Sequence, residues 1–141
     1  AEVHDERAWF MDGVAGHAGL FSSADDLAKL AFMYLNDGHF AGVDYLKPET
    51  IKHFTERRSP INQRAYGFDR KSEGFSTAGQ LTGPNSFGHT GFTGTSFWID
   101  PDEEIAIIIL TNRVHPYRTY GSTISRVRAK IADTVMEAIE N

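Results

Sequence analysis

Cysteine is absent from the 141 residues of this chain. Its absence excludes disulfide bonds, thiolate metal sites and a cysteine nucleophile. Long apolar runs are absent too, because no stretch approaches the roughly 18 apolar residues of a membrane-spanning helix. Hydrophobic residues make up 40% and charged residues 23% of the sequence. This composition is typical of a globular domain with its own core, and not of a disordered or fibrous chain.

An excess of positive charge is also missing. The formal net charge is −5 at pH 7, and the sequence has no basic tail or arm. We therefore expect no nucleic-acid partner. One stretch does gather basic residues, which we interpret as the solvated face of a helix: Arg113, Arg118, Arg126, Arg128 and Lys130.

Several common site motifs do not occur. There is no glycine run followed by Lys-Ser or Lys-Thr, no G-x-G-x-x-G and no G-x-S-x-G. The six histidines include no pair at the spacing of a zinc site. His17 lies in a glycine-rich loop, where it either lines a cleft or makes a structural hydrogen bond. We therefore expect neither a metal ion nor a cofactor.

Local signals predict three helices after a compact loop over residues 1–21. The first begins at Ser23, which forms a capping-box pattern with Asp26, and it ends at Gly38. The apolar face predicted for this helix consists of Leu27, Leu30, Ala31, Tyr34 and Leu35.

The second helix starts at Pro48, with Ile51 and Phe54 facing inward. The third helix covers residues 122–140. Its predicted inward face consists of Val127, Ile131, Val135 and Ile139.

Strands are predicted between the second and third helices. Residues 95–99 alternate, with Phe97 and Ile99 on one face. The apolar run "IAIIILTN" is typical of a strand that is covered on both faces. A short strand is predicted in "AYGFDR", and residues 71–86 are predicted to form a loop.

This order of elements predicts an α+β fold. We expect a single domain, mainly helical over residues 1–65, followed over residues 66–141 by an antiparallel β meander with a C-terminal helix packed on the sheet.

One three-residue motif could carry chemistry: His89-Thr90-Gly91, within "FGHTGFTGTSFWID". An edge strand has unpaired N–H and C=O groups, and small residues beside it let a peptide-like ligand approach. A His and a Thr there could bind a carboxylate, and a backbone N–H could polarise a carbonyl. The alternative is a glycine-eased turn in an ordinary sheet, and the three residues alone do not decide between the two.

Further segments occur in order around this motif: "GHAGLFSSADDLAKLAFMYLNDG", "LKPETI", "YGF", "FGHTGFTGTSFWIDPDEEIAIIILTNR" and the terminal helix. Together they resemble the C-terminal part of the serine β-lactamase and penicillin-binding-protein superfamily, in the class-C-like branch that includes D,D-peptidases and esterases. The resemblance runs from about residue 13 to the terminal helix, and it implies a partial β-lactamase/transpeptidase-like fold.

The resemblance also implies roles for the motif. His89, Thr90 and Gly91 take the place of the family's Lys-Thr-Gly motif, where His89 and Thr90 would hold a substrate carboxylate. The backbone N–H of Phe92 would be one of two oxyanion donors. The implied substrate of the parent protein is a β-lactam, a D-Ala-terminated peptide or an ester, and the implied location is extracytoplasmic.

The sequence departs from the family at the nucleophile. No serine is followed three residues later by lysine, so the Ser-x-x-Lys motif is absent, and the Tyr-x-Asn element has no convincing counterpart. We therefore expect the C-terminal portion of a larger hydrolase domain, inactive by itself. The alternatives are a non-catalytic peptide-binding module and a purely structural domain. Without the N-terminal part of the domain as partner, we expect self-association through the uncovered sheet.

Overall fold

The computed structural model describes residues 2–118 and 123–139. Helices precede the sheet and a helix follows it, which confirms the predicted α+β fold. The elements in these ranges are α1 (Glu6–Phe10), α2 (Ala24–Leu35), β1 (His39–Phe40), β2 (Val43–Asp44), α3 (Pro48–Thr55), β3 (Asp69–Arg70), β4 (Phe87–Thr90), β5 (Ser96–Asp100), β6 (Ile105–Ile109) and α4 (Thr123–Ile139).

The main sheet is antiparallel, with strand order β3-β4-β5-β6. Strands that are consecutive in the chain are neighbours in the sheet, as predicted for a meander. β5 is central, since Ile99 pairs with Phe87 on β4 and with Ala106 on β6. A small separate hairpin joins β1 to β2.

α2 begins and ends where its capping residues predict. The Ser23 hydroxyl accepts a hydrogen bond from the Asp26 N–H at 3.2 Å, as in a capping box. At the other end the Gly38 N–H donates to the Met33 carbonyl at 2.8 Å. Gly38 has a φ of +94°, a conformation that favours glycine.

The hydrophobic core lies between α2 and the sheet. Ala31, Phe87 and Ile99 are buried at its centre. The half-buried side chains packed against them are Tyr34, Leu35, Phe68, Phe97 and Ala106. Phe97 and Ile99 therefore share one face, as the alternation predicts. Leu30 was predicted on the inner face of α2, but its side chain is 42% exposed.

α3 starts at Pro48 as predicted and buries Ile51. The predicted inward orientation of Phe54 is wrong, since Phe54 is 46% exposed and packs at its ring edge on Tyr66, with centroids 5.7 Å apart. Thr55 is buried instead. Its hydroxyl donates to the Ile51 carbonyl at 2.9 Å, which satisfies the polar group inside the helix.

α4 also packs on a different face from the predicted one. Its buried residues are Arg128, Ala129, Ala132 and Met136. Of the predicted inward residues, Val127, Ile131 and Ile139 are 41%, 38% and 55% exposed, and Val135 is half-buried. The backbone at Gly79 lies close to the alanines of α4. A Cβ atom on Gly79 would be 3.0 Å from the Ala132 Cβ, so small residues on both sides permit this contact.

The first 21 residues are not a loop throughout, since they contain α1. Asp5 caps this helix, and its Oδ1 accepts from the Ala8 N–H at 2.9 Å. Large apolar side chains nearby are exposed: Trp9, Phe10, Met11, Val14, Leu20 and Phe21. None of the helices in the described ranges has the length and apolar character needed to cross a membrane.

Candidate functional site

His89 and Thr90 lie on β4 beyond the point where the neighbouring strand ends. β3 pairs with β4 only at Phe87 and Gly88. The chain before β3 turns back on it, since the Ala65 N–H donates to the Phe68 carbonyl at 3.0 Å. His89 is exposed and Thr90 is half-buried. This part of β4 is therefore a sheet edge that solvent can reach.

The hydrogen bonds of His89 assign its tautomer. Its Nδ1 lies 2.8 Å from the Thr90 carbonyl oxygen, so the Nδ1–H donates. Its Nε2 lies 3.2 Å from the Arg64 Nη1, and because a guanidinium can only donate, Nε2 accepts. The imidazole in this arrangement is neutral, with Arg64 beside it as a positive charge.

Arg64 lies at the candidate site, and the sequence did not reveal it. Its Nη1 also lies 2.6 Å from the Asp69 Oδ1, which holds the guanidinium against β3. The Arg64 side chain is 57% exposed, so a ligand at the β4 edge can reach it. Arg64 precedes His89 by 25 residues, and no spacing rule connects a loop residue with a strand at that distance.

The turn after β4 carries the predicted oxyanion donor. The Gly91 N–H donates to the Thr95 carbonyl at 2.7 Å, and the Gly94 N–H donates to the Gly91 carbonyl at 3.1 Å. Phe92 therefore occupies the second position of a tight turn. Among the residues that the structure describes, no group accepts a hydrogen bond from the Phe92 N–H.

The glycines of this turn have an explanation within the chain. A Cβ atom on Gly91 would collide with the Thr95 hydroxyl oxygen, and one on Gly94 would collide with the Thr111 hydroxyl oxygen. Gly94 also has a φ of +114°. Hairpin geometry therefore favours glycine at Gly94 through its φ, and at Gly91 a larger residue would need the Thr95 side chain to move, whether or not a ligand binds.

Three of the five basic residues interpreted as a solvated helix face instead surround this turn. The guanidinium carbons of Arg113 and Arg118 each lie 4.7 Å from the Phe92 ring centroid, within cation–π range. Arg113 Nε also donates to the Phe92 carbonyl at 2.7 Å. Arg128 is 4% exposed. That interpretation is wrong for these three residues.

The N-terminal segment also contacts Phe92. The His4 ring is stacked on it with centroids 5.6 Å apart, and Glu6 Oε1 accepts from Arg118 Nη1 at 2.9 Å. The pKa of Glu6 is lowered by its own backbone N–H and then by Arg118. The pKa of Asp5 is lowered by the Ala8 N–H and then by His17. Both carboxylates therefore stay ionised at neutral pH.

The remaining histidine contacts are structural. His17 Nε2 lies 2.9 Å from Asp5 Oδ1, which supports a structural hydrogen bond for His17. His39 Nδ1 lies 2.7 Å from Asp44 Oδ1 across the β1–β2 hairpin. Within residues 2–118 and 123–139, no three His, Asp or Glu side chains come together as metal ligands would.

Comparisons with known proteins give a consistent match. A family model described as Beta-lactamase matches residues 1–130. A Salmonella schwarzengrund protein named putative D-alanyl-D-alanine carboxypeptidase is 44% identical over 149 residues, which covers 89% of this chain and 34% of that protein. The chain thus spans about a third of the length of this curated relative.

Two solved structures share the fold. A beta-lactamase from Mycobacterium bovis aligns with a TM-score of 0.71 and 23% identity, over 86% of this chain and 46% of that one. A penicillin-binding protein homolog from Caulobacter crescentus aligns with a TM-score of 0.61 and 22% identity, over 82% and 32%. The observed architecture is therefore part of a β-lactamase-like fold.

Proposed function

Since this chain belongs to the beta-lactamase family, we propose that it supplies one wall of the acyl-binding site of a serine hydrolase. The substrate would be a β-lactam, a D-Ala-terminated peptide or an ester. One observation carries the proposal: the open edge of β4 presents His89 and Thr90 beside the Arg64 cation, next to the Phe92 N–H, for which the described residues provide no acceptor.

In this proposal the Phe92 N–H stabilises the charge that develops on the carbonyl oxygen during acyl transfer. An amide without an internal acceptor is available to an incoming oxygen, and an oxyanion donor typically contributes a factor of ~10²–10³ to the rate. The family resemblance implies a second oxyanion donor in addition to Phe92.

The carboxylate of the substrate would bind at Arg64, with the Thr90 hydroxyl as a further donor, while His89 would accept from Arg64 and hold the guanidinium at the β4 edge. Arg64 contributes the positive charge, because His89 in the observed network accepts a hydrogen bond from Arg64 and is neutral. Asp69 would then share the guanidinium with the ligand, since a guanidinium has five N–H donors. Gly91 contributes its backbone only.

The nucleophile is the missing component. No Ser-x-x-Lys occurs in the 141 residues, so the chain by itself would bind acyl ligands without forming an acyl-enzyme. The same absence favours a second candidate, a peptide-binding module without chemistry. Both candidates predict ligand binding at the β4 edge, whereas a purely structural domain predicts none.

A D-Ala-D-Ala peptide is expected to shift the amide signals of residues 89–95 in an NMR titration. The substitution Arg64→Met should weaken binding by about twofold to fivefold, the range for an ion pair that remains partly solvated. Arg126→Met, at an exposed position on α4, should leave binding unchanged. A titration that moves no signal at residues 89–95 would contradict the proposed site.

We also propose self-association through the outer edge of β6. β6 is the last strand of the sheet order, and within the described ranges no strand pairs with its outer edge. An edge of this kind offers unpaired N–H and C=O groups to another strand. In a longer protein, the remaining part of the same domain would take this place.

Sedimentation velocity is expected to show an average mass that rises with protein concentration. Ile131→Glu is the control for association through α4 instead of β6. It places a charge in the exposed apolar stripe of α4, where Ile131 is 38% exposed. The variant should still associate, because the proposed contact lies on β6. A compact monomer at all concentrations, or loss of association in this variant, would contradict pairing at β6.

A further inference from the structure

Arg128 is a buried cation directly beneath the turn that follows β4. Its Nη2 lies 2.8 Å from the Gly91 carbonyl oxygen and 2.7 Å from that of Thr95. Its Nε lies 3.2 Å from the Gly94 carbonyl oxygen. One guanidinium therefore binds three carbonyl groups of a single five-residue turn, a geometry that its planar fork of donors permits.

These contacts determine the direction of the Phe92 N–H. The Gly91 carbonyl and the Phe92 N–H belong to the same trans peptide, so they point in opposite directions. Arg128 and the Gly94 N–H both hold the Gly91 oxygen. The Phe92 N–H must then point away from the guanidinium, out of the turn.

The charge of Arg128 acts on the same peptide. Burial lowers the pKa of Arg128, and the nearby Arg113 lowers it further, yet a guanidinium stays protonated at neutral pH. Within the described residues no carboxylate forms an ion pair with it, so carbonyl dipoles provide the compensating interaction. A cation bound to a carbonyl oxygen withdraws electron density from the peptide and strengthens its N–H as a donor.

We propose that Arg128 is a positioning residue that orients and polarises the Phe92 N–H for the oxyanion of acyl transfer. The role in acyl transfer given to Arg128 rests on the proposed function. Its effect on the amides of the turn can be measured without any ligand.

The test compares the full 141-residue chain with the variants Arg128→Met and Arg128→Lys, with Arg126→Met as the matched control on the same helix. In Arg128→Met, hydrogen exchange of the Gly91 and Gly94 amides should become about tenfold faster, the equivalent of one lost charge-assisted hydrogen bond. The Phe92 amide proton signal should move upfield because the peptide loses its polarising charge.

Arg128→Lys separates charge from packing. It keeps the positive charge without the planar fork, so the Phe92 proton shift should be partly restored while exchange at Gly91 and Gly94 stays fast. Exchange and shift values in Arg128→Met equal to those of Arg126→Met would overturn the inference. So would a Phe92 shift that is identical in the Met and Lys variants.

If Arg128→Met does not fold, a measurement on the wild-type chain still tests whether Arg128 holds the turn. The Arg128 Nε–H signal should then exchange at least about tenfold more slowly than that of Arg126, and equal rates would refute the inference. With a D-Ala-D-Ala peptide as probe, Arg128→Met should bind about tenfold more weakly than wild type. Failure of the wild type to bind would count against the proposed function alone, since the ligand-free measurements test Arg128 separately.

Discussion

Fluorescent penicillin is expected to leave the 141-residue chain without a covalent adduct. Acylation needs an activated hydroxyl, and no serine in the sequence has lysine three residues later. Loss of the nucleophile from a catalytic unit costs roughly 10⁶ in rate, against ~10²–10³ for one oxyanion donor. The oxyanion donor proposed at Phe92 would therefore not compensate for the missing serine.

Intact-mass spectrometry after incubation with a β-lactam measures this directly. A family member that contains Ser-x-x-Lys, treated in the same way, serves as the positive control and should gain the mass of one β-lactam. The chain should gain none over the same period. Stoichiometric labelling would show that another side chain acts as the nucleophile, and the proposal that this chain supplies only one wall of the acyl-binding site would be wrong.

Ile99→Ala is expected to lower the free energy of unfolding by about 2–5 kcal/mol. Ile99 is fully buried at 0% exposure on the central strand of the sheet, in the cluster with Ala31 and Phe87. Truncation removes buried apolar surface and leaves a cavity that the paired strands on both sides cannot close. Urea unfolding measures the change, provided that the m-value stays constant.

Ile61→Ala is the matched control, because it makes the same truncation at a side chain that is 90% exposed. Its effect should fall within about 0.5 kcal/mol. Equal losses for the two variants would mean that Ile99 is not at the centre of the core, and that α2 does not pack on the sheet as described.

Elements whose signals are local were predictable from the sequence. The limits of α2 follow from Ser23, Asp26 and Gly38, which act within one turn of the helix ends. The faces of β5 follow from strict alternation, since Phe97 and Ile99 project to the same side. These features depend on residues that are close in the chain, and the tertiary environment did not override them.

The packed face of α4 was not predictable in the same way. The sequence carries two candidate stripes, one of large aliphatic residues that includes Val127 and Ile131, and one that includes Ala129 and Ala132. Hydrophobicity alone predicts that the first stripe is buried, because its aliphatic side chains are larger. The close approach of Gly79 to Ala132 favours the second, and only the assembled fold brings Gly79 to α4.

The candidate site also contains residues that the sequence indicated and residues that only the structure revealed. His89, Thr90, Gly91 and the Phe92 N–H are contiguous, so a motif can indicate them together. Arg64 and Arg128 lie 25 and 37 residues from their contacts at His89 and Gly91. A charged side chain in a loop or helix is usually solvated, and nothing in its local sequence identifies the one that contacts a distant strand or turn.

The sequence by itself therefore determined the order of α2, α3, the main sheet and α4, the ends of α2 and the motif on β4, because capping and alternation act over a few residues. It also determined that no Ser-x-x-Lys is present. Only the tertiary structure decided where β3 ends, which face of α4 is buried, and that Arg64 and Arg128 meet the motif. Those outcomes depend on contacts between segments that are distant in the sequence. Such contacts form only in the folded chain, so local sequence patterns do not indicate them.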